Sequence, residues 1–154
     1  MRNYIFIAAV TLAAASTAVA ETGFGAAVID APGATISAAF GPRADSDRYH
    51  IGADVAAEAG APVHAPADGR VLRVHAPGEL AGYHGQVVVI DHGALGRTRF
   101  SNLEGVALAP GAEVRAGDVI GRIIAVERPH VHVELWRGDA ALDPASEMTL
   151  IAAR

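Results

Sequence analysis

The sequence predicts an all-β fold in one small domain. Three observations lead there: short runs rich in β-branched residues recur between strong turn signals, no window of a dozen residues beyond the first twenty carries a helical stripe, and 154 residues build one core of ordinary size but not two typical domains.

Residues 1–20, MRNYIFIAAVTLAAASTAVA, place Arg2 before a short apolar run and end in Ala18-Val19-Ala20, the small-x-small pattern of a cleavable secretory signal. The run is interrupted by Thr11, Ser16 and Thr17, which argues against a spanning anchor. The expectation is an exported protein, periplasmic or extracellular, with no membrane span once the signal is gone. Residues 21–34 are rich in Gly and Ala and form a lead-in; the domain follows at 35–147, and 148–154 make a C-terminal tail. Within the domain the expected strands are 35–40, 49–55, 69–75, 86–91, 97–101, 119–125 and 131–137. They are separated by Gly41-Pro42, Gly60-Ala61-Pro62, Pro77-Gly78, Pro110-Gly111 and Gly117-Asp118, where Gly supplies positive φ and Pro presets a turn. The stretch GAEVRAGDVIG resembles the turns of biotinyl and lipoyl carrier domains. Such a carrier needs a lysine for its cofactor, and this chain has none.

The formal charge is −5, becoming −6 when Arg2 leaves with the signal. That balance argues against nucleic-acid binding by phosphate neutralisation. With no cysteine, there is no disulfide and no thiolate metal ligand.

Seven histidines remain as candidates for chemistry. In HIGAD, a strand places His50 and Asp54 on one face with Gly52 leaving a gap between them. In ERPHVHVELW, the same alternation sets His130, His132 and Glu134 on one face and Val131, Val133 and Leu135 on the other, so the apolar set makes a core face and the histidines look toward solvent or a groove. Imidazole and carboxylate together suit zinc. If the two strands lie close, three ligands would leave a fourth position open for catalysis, and four would close a structural site.

The order FGPR, HIGAD, PVHAPADGRV, VVVIDHG, TRFSNL, VRAGDVIG, PHVHVEL and DP resembles the lysostaphin and LytM type of zinc endopeptidase, over about residues 35–144. The resemblance implies a folded antiparallel β domain with a groove that holds one Zn2+ ion, and hydrolysis of peptide cross-links in bacterial peptidoglycan. It makes His50, Asp54 and His132 the metal ligands and His130 a catalytic neighbour. Zinc there would polarise a carbonyl and lower the pKa of a water toward ~7. Glu134 would orient a ligand histidine or stand as an exposed strand carboxylate. His92 is expected to be structural, His64 and His75 to be without special partners, and His84 or Tyr83 to touch substrate. The expected partners are peptidoglycan peptide stems, and possible protein partners are another cell-wall hydrolase or a divisome protein; the expected state is a monomer.

Three positions depart from the family pattern. Asn102, in Phe100-Ser101-Asn102-Leu103, stands where a second catalytic histidine is usual; its amide can donate a hydrogen bond but cannot take a proton near neutral pH. Phe100 replaces a tyrosine, and Arg128 stands before Pro129 where glycine is more common, which would narrow or charge the groove. The alternative function is therefore an impaired member that binds peptidoglycan or a partner hydrolase and regulates wall cleavage.

Overall fold

The computed structural model describes residues 23–44 and 47–153; the segment read as a signal, 1–20, lies outside them. Twelve strands follow in order among the described residues: β1 (Thr35–Ala38), β2 (Gly41–Pro42), β3 (Tyr49–His50), β4 (Ala53–Ala56), β5 (Pro62–His64), β6 (Gly69–His75), β7 (Gln86–Asp91), β8 (Arg97–Glu104), β9 (Glu113–Val114), β10 (Val119–Ile123), β11 (His130–Arg137) and β12 (Ala140–Leu142). A 3-10 turn at Gly93–Leu95 and one short helix, α1 (Pro144–Glu147), complete the elements. Asp143 caps α1 by accepting from the Ala145 N–H at 2.9 Å, with Pro144 at the position where a missing N–H costs nothing.

The main sheet runs β1-β4-β11-β8-β7-β6-β9, every named pair antiparallel; β10 joins β5 to β8, and β12 lies on β11. The strand β11 lies inside the sheet, between β4 and β8, with Val131, Val133 and Leu135 fully buried, as the alternation predicted. Burying each such side chain contributes about 1.5–3 kcal/mol. Phe100, in place of the usual tyrosine, is also fully buried, where a hydroxyl would need a partner.

The lead-in and the tail belong to this core. Val28 and Ile29 are fully buried and hydrogen-bond to Thr149 and Leu150, forming a parallel bridge between Ile29 and Ile151.

The structure breaks the expected strand 49–55 in two. His50 belongs to a small sheet of β2 and β3, whereas Asp54 belongs to β4 of the main sheet, and the chain turns through Ile51-Gly52 between them. Gly52 leaves no open gap. A Cβ built there would lie 2.8 and 2.9 Å from Cε1 and Nε2 of the His132 ring and against the Val133 carbonyl, so glycine is required for the backbone to pass this close to β11.

Candidate metal centre and groove

Three elements deliver the three candidate ligands. The pairing of β4 with β11 sets Asp54 opposite His132, and the pairing of β2 with β3 swings His50 in from the side. His50 Nε2 lies 3.1 Å from His132 Nδ1 and 3.2 Å from Asp54 Oδ1, and His132 Nδ1 lies 2.7 Å from Asp54 Oδ1. Bonds of about 2.0–2.2 Å at tetrahedral angles set nitrogen and oxygen ligands about 3.3 Å apart, close to these separations. The donor set fits a zinc ion.

Each histidine gives one ring N–H to an acceptor and turns its other nitrogen toward the candidate metal position. His50 Nδ1 donates to the Ala39 carbonyl at 2.8 Å, leaving the Nε2 lone pair for the metal. His132 Nε2 faces Glu134 Oε1 at 3.2 Å and donates to it, leaving Nδ1 for the metal. Glu134 is fully buried rather than exposed on the strand: Trp136 Nε1 donates to it at 2.6 Å, the Tyr83 hydroxyl at 2.9 Å and Arg99 Nη1 at 3.3 Å. Burial alone would raise its carboxyl, but the hydrogen bonds from His132 and Trp136, the Arg99 charge and the Tyr83 hydroxyl outweigh it and hold Glu134 below the usual carboxylate range. Burial likewise raises Asp54, and the hydrogen bond and charge of His132 bring it below its ordinary value.

A proton can compete with a metal for His132. Burial lowers its pKa, yet its hydrogen bonds to Asp54 and Glu134 push it up to about 9. A proton on Nδ1 then sits between Asp54 and His50, so proton and metal compete for one position. The apparent zinc affinity should therefore rise about tenfold per pH unit as pH climbs from 6.5 toward 8.5, because neutral His132 becomes more abundant. Competition with a chromophoric chelator at three pH values measures this, and a flat profile would contradict it. In the metal-free chain, the raised His132 pKa contributes stability that is complete below about 6.5 and disappears as pH rises through about 9. The lowered Asp54 and Glu134 values act at the other end, with stability lost only as pH falls below the carboxylate range.

His130 shares the strand face of His132 but is held differently. Its Nδ1 donates to the Arg128 carbonyl at 2.8 Å, so its Nε2 is the acceptor and receives the Asn102 Nδ2 donor at 2.9 Å. The other end of that amide, Oδ1, accepts from the His84 backbone N–H at 3.1 Å. Asn102 reaches both through a bulge in β8, where Ser101 and Asn102 oppose Val87 alone. It is the one non-glycine residue with positive φ among those described, at 64°. Asparagine tolerates that left-handed region.

These side chains form the floor of a groove of about 680 Å³, with Arg43, Arg48, Tyr49 and Ile51 on one wall and Ala81, Gly82, Tyr83 and His84 on the other. Tyr83 and His84, expected to touch substrate, both line the groove. Arg128 is exposed and is not among the lining residues, so its side chain does not narrow the groove; its carbonyl accepts from His130 Nδ1. His92 is buried and structural, bridging the Asp68 carbonyl and the Thr98 hydroxyl, each at 2.8 Å. His64 contacts the Val28 carbonyl at 3.3 Å, and His75 lies 3.6 Å from Glu79, a pairing the sequence reading missed. Four-residue spacing was the available signal.

The profile of peptidase family M23 matches residues 48–144, a span that holds all three candidate ligands, His130 and Asn102. The chain belongs to peptidase family M23. Mpg, a DD-carboxypeptidase/endopeptidase of Neisseria meningitidis, is 36% identical over 118 residues, covering 72% of this chain and 26% of that protein. ShyB, a peptidoglycan DD-endopeptidase of Vibrio cholerae, is 34% identical over 89 residues, covering 56% of this chain and 20% of that protein. The chain therefore spans about a quarter or less of these two relatives. A zinc-containing peptidase from Vibrio cholerae superposes with a TM-score of 0.66 at 28% identity, over 79% of this M23 chain and 39% of that structure.

Proposed function

We propose that this M23 chain is an exported, zinc-dependent endopeptidase that hydrolyses peptide cross-links of bacterial peptidoglycan. The observation that carries the proposal is the convergence of His50 Nε2, Asp54 Oδ1 and His132 Nδ1 within 3.2 Å of one another on the floor of an open groove. Three protein ligands facing a groove leave a fourth position for catalysis, whereas a structural site would be closed by a fourth side chain. His130 does not close it, because its Nε2 is engaged by Asn102. Zinc bound there would supply a Lewis acid for the scissile carbonyl and a water of lowered pKa.

The chain's own residues do the rest. The walls hold an extended peptide across the floor, and His130 presents Nε2 as the proton acceptor while the Arg128 carbonyl fixes its tautomer. Glu134 holds the His132 ring in its ligating orientation through Nε2. Export rests on the signal-like pattern of residues 1–20.

A second reading has its own support. The Asn102 amide occupies the lone pair through which His130 would take a proton, and Asn102 cannot itself transfer one. That arrangement favours a groove that binds peptidoglycan or engages a cell-wall hydrolase with little turnover. Digestion of purified sacculi by the full chain, with zinc and after chelation, separates the readings. Zinc-dependent release of cross-linked muropeptides supports the endopeptidase. Sacculus binding without release supports the impaired member, and a chain that takes up no zinc overturns the first reading.

A further inference from the structure

The groove is cationic on one side in a chain whose net charge is −5. Of the charged residues lining it among those described, Asp54 belongs to the candidate ligand set, which leaves Arg43 and Arg48, both on the same wall. The opposite wall, Ala81 to His84, bears no carboxylate. The two arginines sit at the turn end of the β2–β3 hairpin, where the Arg43 N–H donates to the Arg48 carbonyl at 3.2 Å. They are thereby tied to the strand that carries His50, two residues after Arg48.

Arg43 reaches furthest toward the metal centre. Its Nη2 lies 4.0 Å from Asp54 Oδ2, the oxygen not shared with His132, and its side chain remains 41% exposed. A single contact of that length leaves most of the guanidinium fork unused. Arg48 is exposed and forms no ion pair among the described residues, and Asp47, in the turn beside it, does not line the groove. A planar fork with free donors in a groove matches a carboxylate, which it can grip by two parallel hydrogen bonds.

We infer that Arg43 and Arg48 form a carboxylate-recognising wall, so that the groove takes peptides bearing free carboxylates beside the scissile bond in preference to the same peptides with those groups amidated. The inference rests on the proposed peptidase reading for the class of ligand, and the arginines determine which members of that class bind. Arg43, at the edge of the metal centre, reads the carboxylate nearest the scissile bond, and Arg48 reads the one further along the wall.

The test uses the full zinc-loaded chain and two fluorescently labelled synthetic cross-link peptides, identical except that one carries free side-chain and terminal carboxylates and the other carboxamides. Anisotropy titration gives the affinities. The free-carboxylate peptide should bind at least tenfold tighter to wild type. That preference should shrink to less than threefold in Arg43→Gln/Arg48→Gln, whose circular dichroism and zinc content should match wild type. It should also weaken between 0.05 and 0.5 M salt, about as expected for screened, partly exposed charges. Equal affinities, no binding of either peptide, or a preference that survives the double substitution overturns the inference. A preference in a chain that never cuts sacculi retires the hydrolase reading and keeps the wall; cutting without any preference does the reverse.

Discussion

Replacing His132 by alanine is expected to abolish zinc binding at micromolar metal and, with it, any release of muropeptides from sacculi. Removing a hydrogen-bond partner behind a ligand already costs roughly 10–100-fold in metal affinity, and losing the ligand itself costs more. Two groups remain, His50 Nε2 and Asp54 Oδ1, too few for a site built on three. The readout besides activity is thermal. On the proposed reading, zinc should bind the folded chain and raise the melting temperature of wild type by mass action, whereas His132→Ala should show no zinc-dependent shift. Its metal-free fold should survive, because Glu134 keeps the donors from Trp136, Tyr83 and Arg99 after the imidazole is gone. The lost hydrogen bonds to Asp54 and Glu134 should lower stability by about 1–3 kcal/mol. A variant that still binds zinc as tightly as wild type would remove His132 from the ligand set.

What the sequence made legible is what local periodicity controls. Strand β11 follows from the alternation of Val131, Val133 and Leu135, and β6 and β7 from β-branched runs between turn residues, with the expected bounds 69–75 and 86–91 matching the observed ones. The short strands β5, β9 and β12, of two or three residues, were not expected. They have too few residues to show a period and exist because β10, β6 and β11 pair with them. The break at Gly52 was hidden for the same reason. Nothing local ends that strand; the His132 ring and the Val133 carbonyl, eighty residues on, occupy the space.

The cluster of His50, Asp54 and His132 was legible as residue types at a spacing, although the route that brings them together was not. His50 and Asp54 meet because two separate sheets converge, not because one strand presents both. Glu134 illustrates the limit of alternation. Period two assigns it to the face of His132, but whether that face is wet depends on the loop that brings Tyr83 over it and on Arg99 from β8, both remote in sequence. The clamp made by Asn102 was equally out of reach, since its partners, the His84 N–H and His130 Nε2, come from two further segments.

Asn102→His is the substitution with the largest expected gain. Proton transfer by a positioned side chain is worth roughly a hundredfold to ten-thousandfold, so the variant should release muropeptides at least tenfold faster than wild type in zinc. The backbone permits it, because histidine, like asparagine, is enriched among non-glycine residues in the left-handed region that the 64° φ requires. The β8 bulge would aim the new ring where the amide now lies, 2.9 Å from His130 Nε2. The exchange also removes the acceptor of the His84 N–H, which should cost about 1 kcal/mol, or about 2–4 °C in melting temperature. Asn102→Ala supplies the control. It frees His130 from the clamp without adding a proton carrier, so it should share the loss of stability but not the gain in rate. Should alanine accelerate release as much as histidine does, the restraint on His130, and not the missing proton carrier, is what limits this chain. Should neither variant exceed wild type while both keep their zinc, residue 102 does not set the rate, and the groove walls become the place to look.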